Sequence, residues 1–173
     1  MNDPVDHRRR WFEGYTRLLD QGVKAPRKPG VRYTCPCCGY PTLAERGSYD
    51  ICDLCSWEDD GQDDPHADEI WGGPNGAYSL SEARLNFKQR RIMYSPDKPT
   101  NRIGGNTNTP LEHQAKRAIM EAFDAMVEEA DPPAMDNLWQ LVFDNEKVLR
   151  SELERRIREY EARMTGGNTP SSS

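Results

Sequence analysis

The stretch CPCCGYPTLAERGSYDICDLC, residues 35–55, decides the fold, because it contains all five cysteines of the 173-residue chain. Two pairs follow a C-x2-C pattern, Cys35 with Cys38 and Cys52 with Cys55, and thirteen residues separate the pairs. Two thiolates at this spacing reach one ion when the chain turns tightly between them. The sequence therefore predicts a tetrahedral site made of four sulfurs.

Four thiolates leave no coordination position open for a substrate, which is typical of a structural ion. Such an ion contributes folding free energy directly, so a segment with few apolar residues need not fold by its core alone. We predict one structural Zn²⁺ ion, with rubredoxin-like iron as the alternative for the same ligands. The odd number of cysteines argues against a disulfide framework.

Cys37 lies between the first two predicted ligands and has two interpretations. It is either a small turn residue or a reactive thiol activated by the adjacent ion. Exchanging it for Cys35 or Cys38 would break the two-residue spacing, so we do not count it as a ligand.

An acidic segment follows the cysteines. Ten acids and one base lie between Glu45 and Glu69, giving this segment a formal charge of −9, whereas the whole chain carries −6. Such a segment favours a cationic partner such as a basic protein, although acidic loops are also ordinary features of a solvated surface. A hydrolytic metal site that includes His66 is a further alternative, although the EF-hand pattern is absent. The predicted partner-binding residues are Glu58, Asp59, Asp60, Asp63, Asp64 and Asp68.

The same sequence weighs against other classes of protein. The net charge disfavours a nucleic-acid binder, although the cluster Arg8–Arg10 would suit phosphate contacts. No stretch approaches the 18 or so apolar residues of a membrane span. The charged N-terminus lacks the apolar run of a secretory signal, so we expect a cytoplasmic protein. Familiar catalytic and nucleotide-binding motifs are absent, so we expect a protein that is not an enzyme.

Both β-strands and α-helices are predicted around the cysteines. Residues 31–34 and 47–52 are β-rich, and helical periodicity is expected in four segments, the last two forming a hairpin. The apolar face of the last helix, from Leu149 to Tyr160, would suit a partner helix or a second copy of the chain. The predicted parts are an N-terminal helix and linker (1–30), a metal-binding domain with its acidic loop and closing helix (31–94), a linker (95–109), a helical hairpin (110–165) and a disordered tail (166–173).

The predicted helices have recognisable ends. The first is expected over residues 5–22, and a capping box at Ser79 starts the second, which runs to about Met93. The third begins at Thr109–Pro110. The fourth begins near Asp136.

The motifs CPCCGYPTL, ERGSYDIC, WEDDGQDDP, GGPNG and LSEARLNF occur in this order. This run, about residues 33–87, resembles the bacterial cysteine-rich CPCC family. The resemblance implies a small ribbon-like metal domain with an acidic tail and a closing helix, and it implies no particular reaction. It does not extend to the helices at either end.

The sequence thus predicts an α+β fold, with a small zinc-ribbon-like β core, an N-terminal helix, a following helix and a C-terminal helical hairpin. The predicted function is that of a structural-zinc, protein-binding module, in one version an immunity protein that neutralises a basic toxin. The alternatives are a nucleic-acid-associated zinc ribbon and a rubredoxin-like iron electron carrier. The helical hairpin is the predicted surface for self-association.

Overall fold

The computed structural model describes residues 4–21, 32–100, 102–103 and 105–166. The predicted linker after the first helix and the predicted tail beyond residue 166 lie outside these residues. Four helices and a two-stranded antiparallel sheet confirm the α+β class. The elements in chain order are α1 (Pro4–Asp20), β1 (Tyr33–Thr34), β2 (Pro41–Leu43), α2 (Leu80–Arg90), α3 (Pro110–Glu128) and α4 (Pro132–Gly166), with short 3-10 turns at Asp64–His66 and Gly73–Asn75.

The sheet is smaller than the sequence predicts, and one of its strands differs. β1 pairs with β2, with Tyr33 opposite Leu43. The predicted strand over residues 47–52 is wrong, because that stretch makes a single bridge, between Ile51 and Glu58. Positive φ angles at Gly47 and Tyr49 take the backbone out of the extended conformation there. The second strand is instead formed by Pro41–Leu43, directly after the first cysteine turn.

The helix ends follow from their capping residues. The Ser79 side chain accepts from the Glu82 amide at the start of α2, and a left-handed residue, Arg91, ends α2 earlier than predicted. α3 begins at the predicted Thr109–Pro110, where Thr109 and Glu112 form a complete capping box. α4 begins at Pro132 rather than near Asp136, because proline suits the first turn and the Asp131 carboxylate accepts from the Ala134 amide.

A single apolar core joins the metal-binding segment to the helices on both sides. Phe123 on α3 lies at its centre and is completely buried. The Phe123 ring centroid is 5.5 Å from that of Phe12 on α1, 5.7 Å from that of Tyr40 and 5.7 Å from that of Trp139 on α4. Edge and stacked aromatic contacts of this kind add to the free energy of apolar burial. The hairpin therefore packs directly on the cysteine-rich segment.

The segment predicted as a linker, residues 95–109, is hydrogen-bonded to the body. The Asn106 side-chain amide donates to the carbonyls of Ser95 and Lys98, at 2.7 and 2.6 Å. The Asn108 side-chain amide donates to the carbonyls of Arg90 and Arg91, so the segment is tied to the end of α2. Within the part of the chain that the structure describes, no helix is long and apolar enough to cross a membrane.

Candidate metal centre

Two turns of the same design carry the four cysteines. In the first, the Cys35 amide donates to the Tyr40 carbonyl at 2.9 Å, and the Gly39 amide donates to the Cys35 carbonyl at 2.9 Å. In the second, the Cys52 amide donates to the Trp57 carbonyl at 2.9 Å, and the Ser56 amide donates to the Cys52 carbonyl at 2.8 Å. The fifth residue of each turn has a positive φ, 76° at Gly39 and 68° at Ser56. Repetition of one backbone geometry places the two C-x2-C pairs in equivalent positions.

The sulfur atoms have the spacing that a tetrahedral ion requires. The ligand atoms of Cys35, Cys38, Cys52 and Cys55 all lie within 4.8 Å of one another. The Sγ atoms of Cys35 and Cys55 are 3.6 Å apart, and those of Cys38 and Cys52 are 3.7 Å apart. A tetrahedron with Zn–S bonds of about 2.3 Å has S–S edges of about 3.8 Å, whereas a disulfide bond is about 2.05 Å long. The geometry therefore fits one ion held by four sulfurs.

Hydrogen-bond donors from the protein surround the sulfurs. The Cys55 amide lies 3.5 Å from Cys52 Sγ, and the Trp57 amide lies 3.4 Å from Cys55 Sγ. The Thr42 hydroxyl lies 3.0 Å from Cys52 Sγ. Such donors stabilise negative charge on sulfur and fix the orientation of the ligands. Thr42 is the member of this set that the sequence analysis missed, because it comes from β2 rather than from either C-x2-C turn.

Burial makes the charge state of the four thiols depend on one another. Each of these side chains is at most 1% exposed. Burial raises the pKa of the Cys35, Cys38 and Cys55 thiols. Burial also opposes ionisation of Cys52, but hydrogen bonds from the other three thiols outweigh it and lower the pKa of Cys52 well below its usual value. Four thiolates in this dry site need a cation to balance them, which matches the donor set of a structural Zn²⁺ ion.

Two arginines from distant helices hold the first turn in place. Arg84 Nε on α2 donates to the Pro36 carbonyl at 2.9 Å, and Arg8 Nη1 on α1 donates to the Cys38 carbonyl at 3.4 Å. Arg8 also lies over the Tyr40 ring, 3.9 Å from its centroid. The turn is therefore held by α1 and α2 as well as by its own backbone hydrogen bonds.

Cys37 lies beside the four ligands and is not one of them. Its side chain is 2% exposed, and its sulfur is not part of the group that could hold an ion. Burial of this kind favours the interpretation of Cys37 as a small turn residue over that of a reactive thiol, because a reactive thiol needs access to its oxidant or substrate.

The acidic residues predicted to bind a partner fall into two groups. Asp59 is completely buried and accepts from Arg46 Nε and the Gly47 amide, both at 2.8 Å. This burial removes Asp59 from any contact surface. Asp63 pairs with Arg9 and Arg46, at 3.0 and 2.9 Å, and these two arginines lower its pKa against the opposing effect of burial.

Asp64 pairs with Arg9 of α1 and Arg84 of α2, at 3.1 and 2.6 Å. Asp63 and Asp64 thus join the loop to α1 and α2, whereas Asp59 joins it to the segment that follows β2. The second group remains at the surface. Glu58 is partly exposed and Asp68 exposed, and Asp60, although it accepts from the Gln62 amide at 3.0 Å, is only partly buried.

The described residues do not form the two alternative sites, a hydrolytic metal site with His66 and a phosphate-binding arginine cluster. Among the described residues, the four cysteines form the only group of three or more Cys, His, Asp or Glu side chains placed to hold an ion, so His66 is not part of one. Arg8 and Arg9 of the basic cluster are paired with Asp124 and with Asp63 and Asp64, so neither guanidinium is free for phosphate.

The fold and the sulfur site define the class of this molecule: an α+β protein with four cysteines placed to bind one metal ion. Residues 33–98 match the model of the family described as Cysteine-rich CPCC, so this segment is a cysteine-rich CPCC domain. The match confirms the resemblance seen in the sequence and extends it beyond α2, while α1, α3 and α4 lie outside it. No curated protein and no solved structure matches the chain.

Proposed function

We propose that this protein is a non-enzymatic module whose CPCC domain is held together by one structural Zn²⁺ ion. The observation that carries the proposal is the set of four buried sulfurs at tetrahedral spacing. Cys35, Cys38, Cys52 and Cys55 would hold the ion, which would neutralise part of their charge and join the two turns. A closed set of four protein ligands suits stabilisation rather than catalysis.

Metal analysis of the purified protein tests this part of the proposal. We expect one equivalent of zinc per chain, released by a chelator with loss of tertiary structure, and no visible absorption. A red protein with one equivalent of iron and a reversible redox couple would instead support the rubredoxin-like alternative. A protein that folds with neither metal would contradict both.

We further propose that the acidic side of this domain binds a basic protein, in the specific version a toxin that the protein neutralises. The −9 charge of residues 45–69 supports this, because Arg9 and Arg84 together offset only two of the excess acids. The acids available to a partner are those outside the internal ion pairs, Glu58, Asp60 and Asp68, together with the exposed Glu69. Charge complementarity of this kind mainly accelerates association and sets specificity.

A matched pair of triple variants tests the partner surface. One variant carries Glu58→Gln, Asp60→Asn and Asp68→Asn, and the control carries Glu121→Gln, Glu128→Gln and Glu154→Gln on the exposed faces of α3 and α4. Both change the net charge equally, and neither breaks an ion pair of the acidic loop. We expect recovery of a basic protein from host extract at low salt by the wild type and the control, with loss in the first variant. Equal recovery by all three, or recovery of nucleic acid, would contradict the proposal.

A further inference from the structure

A large aromatic side chain stands in solvent at the end of the acidic segment. Trp71 follows two residues after Glu69, the last acid of that segment, and it is 46% exposed. Its neighbour Ile70 is 61% exposed. Exposed tryptophan is typical of the residues that anchor a binding partner, because the ring offers a large contact area of fixed shape.

The indole of Trp71 is held in one orientation by its neighbours. Its Nε1 donates to Glu69 Oε2 at 2.9 Å, and the other oxygen of this carboxylate lies 3.0 Å from His66 Nδ1. The His66 ring centroid is 5.7 Å from that of Trp71, with the two rings tilted by 49°. Hydrogen bonds from His66 and Trp71 lower the pKa of Glu69, so its carboxylate is charged at neutral pH.

The turn that carries these three side chains is anchored to the body. The buried Gln62 side-chain amide donates to the carbonyls of His66 and Glu69, at 2.7 and 2.8 Å. The Ser81 amide, at the start of α2, donates to the Ala67 carbonyl at 2.8 Å. A surface that is fixed before a partner arrives loses little conformational entropy on binding.

Two of the acids available to a partner lie beside the segment that carries Trp71. The buried Asn75 side chain accepts from the Glu58 amide at 3.1 Å and donates to the Glu58 carbonyl at 2.8 Å. The same amide nitrogen lies 3.3 Å from Asp60 Oδ2. Asn75 ends the short turn Gly73–Asn75, which begins two residues after Trp71. The surroundings of the indole therefore attract a cation rather than an anion.

We propose that Trp71 and Glu69 receive an arginine side chain of the basic partner, whose guanidinium stacks on the indole and pairs with the carboxylate. The face of an indole ring attracts cations, and a carboxylate offers about four acceptor positions, of which the donors of His66 and Trp71 take two. Arginine suits this pair better than lysine, because its guanidinium is planar and weakly hydrated. The inference rests on the proposed acidic-partner function and names the side chain that this surface recognises.

Binding of labelled octa-arginine and octa-lysine peptides to the full-length protein, measured by fluorescence anisotropy at about 50 mM salt, tests the role of the indole. The two peptides carry equal charge, so the ratio of their affinities reports on stacking rather than on long-range attraction. Trp71→Ala lowers this preference for arginine by about two- to fivefold. Tyr160→Ala is the control, because Tyr160 is a similarly exposed ring on α4, and it leaves the ratio within about 1.5-fold. Unchanged metal content and circular dichroism show that each variant is folded.

An unchanged ratio in Trp71→Ala, an equal fall in both variants, or no binding of the arginine peptide by the wild type overturns the inference. Sedimentation velocity adds one further outcome. A wild-type dimer that is lost in Trp71→Ala would assign this surface to a second copy of the chain and would also overturn it.

The carboxylate has its own test. Glu69→Gln keeps an acceptor for the indole N–H but removes the charge, and it weakens binding of the arginine peptide by about two- to fivefold. Glu161→Gln makes the same change of charge at an exposed residue of α4 and leaves binding within about 1.5-fold. Equal effects of the two variants overturn the pairing of Glu69 with the guanidinium.

Capture from host extract separates this inference from the proposed function. Equal capture of a basic protein by the wild type and by Trp71→Ala overturns the arginine site and leaves the acidic-partner proposal standing. If the wild type captures no basic protein, but the preference for the arginine peptide still depends on Trp71, the acidic-partner proposal fails and the arginine site stands.

Discussion

Replacing Cys52 by serine removes one of the four sulfurs and provides the sharpest test of the metal site. Cys52 is the sulfur that receives most support from the protein, because the Cys55 amide and the Thr42 hydroxyl both approach it. Zinc binding by small structural sites contributes about 10–16 kcal/mol at pH 7. One ligand of four therefore accounts for about 3–4 kcal/mol, equivalent to a loss of affinity on the order of 10²–10³-fold.

This loss is a substantial fraction of the stability of the fold, which for domains of this kind is about 5–15 kcal/mol. Cys37→Ser is the matched control, because it makes the same chemical change at a buried cysteine outside the tetrad. We expect it to cost about 1–2 kcal/mol in unfolding free energy through burial of a hydroxyl, with no loss of bound metal. The two variants should differ because the Sγ atoms of Cys35 and Cys55, and those of Cys38 and Cys52, lie at the spacing of ligands around one ion. The Cys37 sulfur is not part of that group.

Competition with a chromophoric zinc chelator, under reducing conditions, measures the affinity, and thermal unfolding with and without chelator measures the linked stability. The expected order of affinity is wild type, then Cys37→Ser, with Cys52→Ser far below both. Equal affinities for the two variants would refute the assignment of ligands. So would a wild-type melting temperature that does not change when the metal is removed.

Three further changes test the surroundings of the site. Ser56→Gly should raise the free energy of unfolding by about 0.5–1 kcal/mol in denaturant titrations, because Ser56 has the positive φ that glycine tolerates better; a destabilised variant would contradict the turn geometry. Arg84→Ala should speed zinc transfer to a chelator by about 10–100-fold, since it removes the donor to the Pro36 carbonyl. Lys88→Ala, on the same helix, is the control and should leave the transfer rate unchanged. Equal rates for the two variants would show that Arg84 does not position the turn. Burial and the charge of Arg102 lower the pKa of Lys116 to about 8, so the folded protein loses this proton before the unfolded chain does, and the free energy of unfolding should rise by up to about 3 kcal/mol between pH 8 and about 10.5. Lys116→Met should abolish most of that rise in denaturant titrations across this range, and an unchanged pH dependence would contradict the burial of a charged lysine.

The metal ligands were predictable because their geometry is local. A C-x2-C turn needs only a few residues and two backbone hydrogen bonds, and both turns of this protein have them. The helix starts at Ser79 and Thr109 were predictable for the same reason, because a cap acts over three residues. The strand predicted at residues 47–52 was wrong because β-rich composition does not reveal the positive φ at Tyr49.

In the acidic segment, the local sequence pattern does not reveal which carboxylates pair with distant arginines. Its charge suggested a surface open to a partner, but Arg9 reaches Asp63 and Asp64 from more than fifty residues away, and Arg84 reaches Asp64 from α2. Residues 95–109 lack any periodicity, and yet the side-chain amides of Asn106 and Asn108 tie them to α2 and to their own turn. Neither arrangement leaves a signal in the spacing of the residues concerned.

The amino-acid sequence by itself determined the four sulfur ligands, the closed character of their site and the presence of helices on both sides, because each of these depends on residues close together in the chain. Only the tertiary structure decided which carboxylates form ion pairs inside the protein and which arginines hold the first cysteine turn. It also decided where the apolar face of α4 becomes exposed to solvent. Those outcomes depend on contacts between distant segments, which form when the aromatic side chains around Phe123 bring α1, the metal-binding segment and the hairpin into one core.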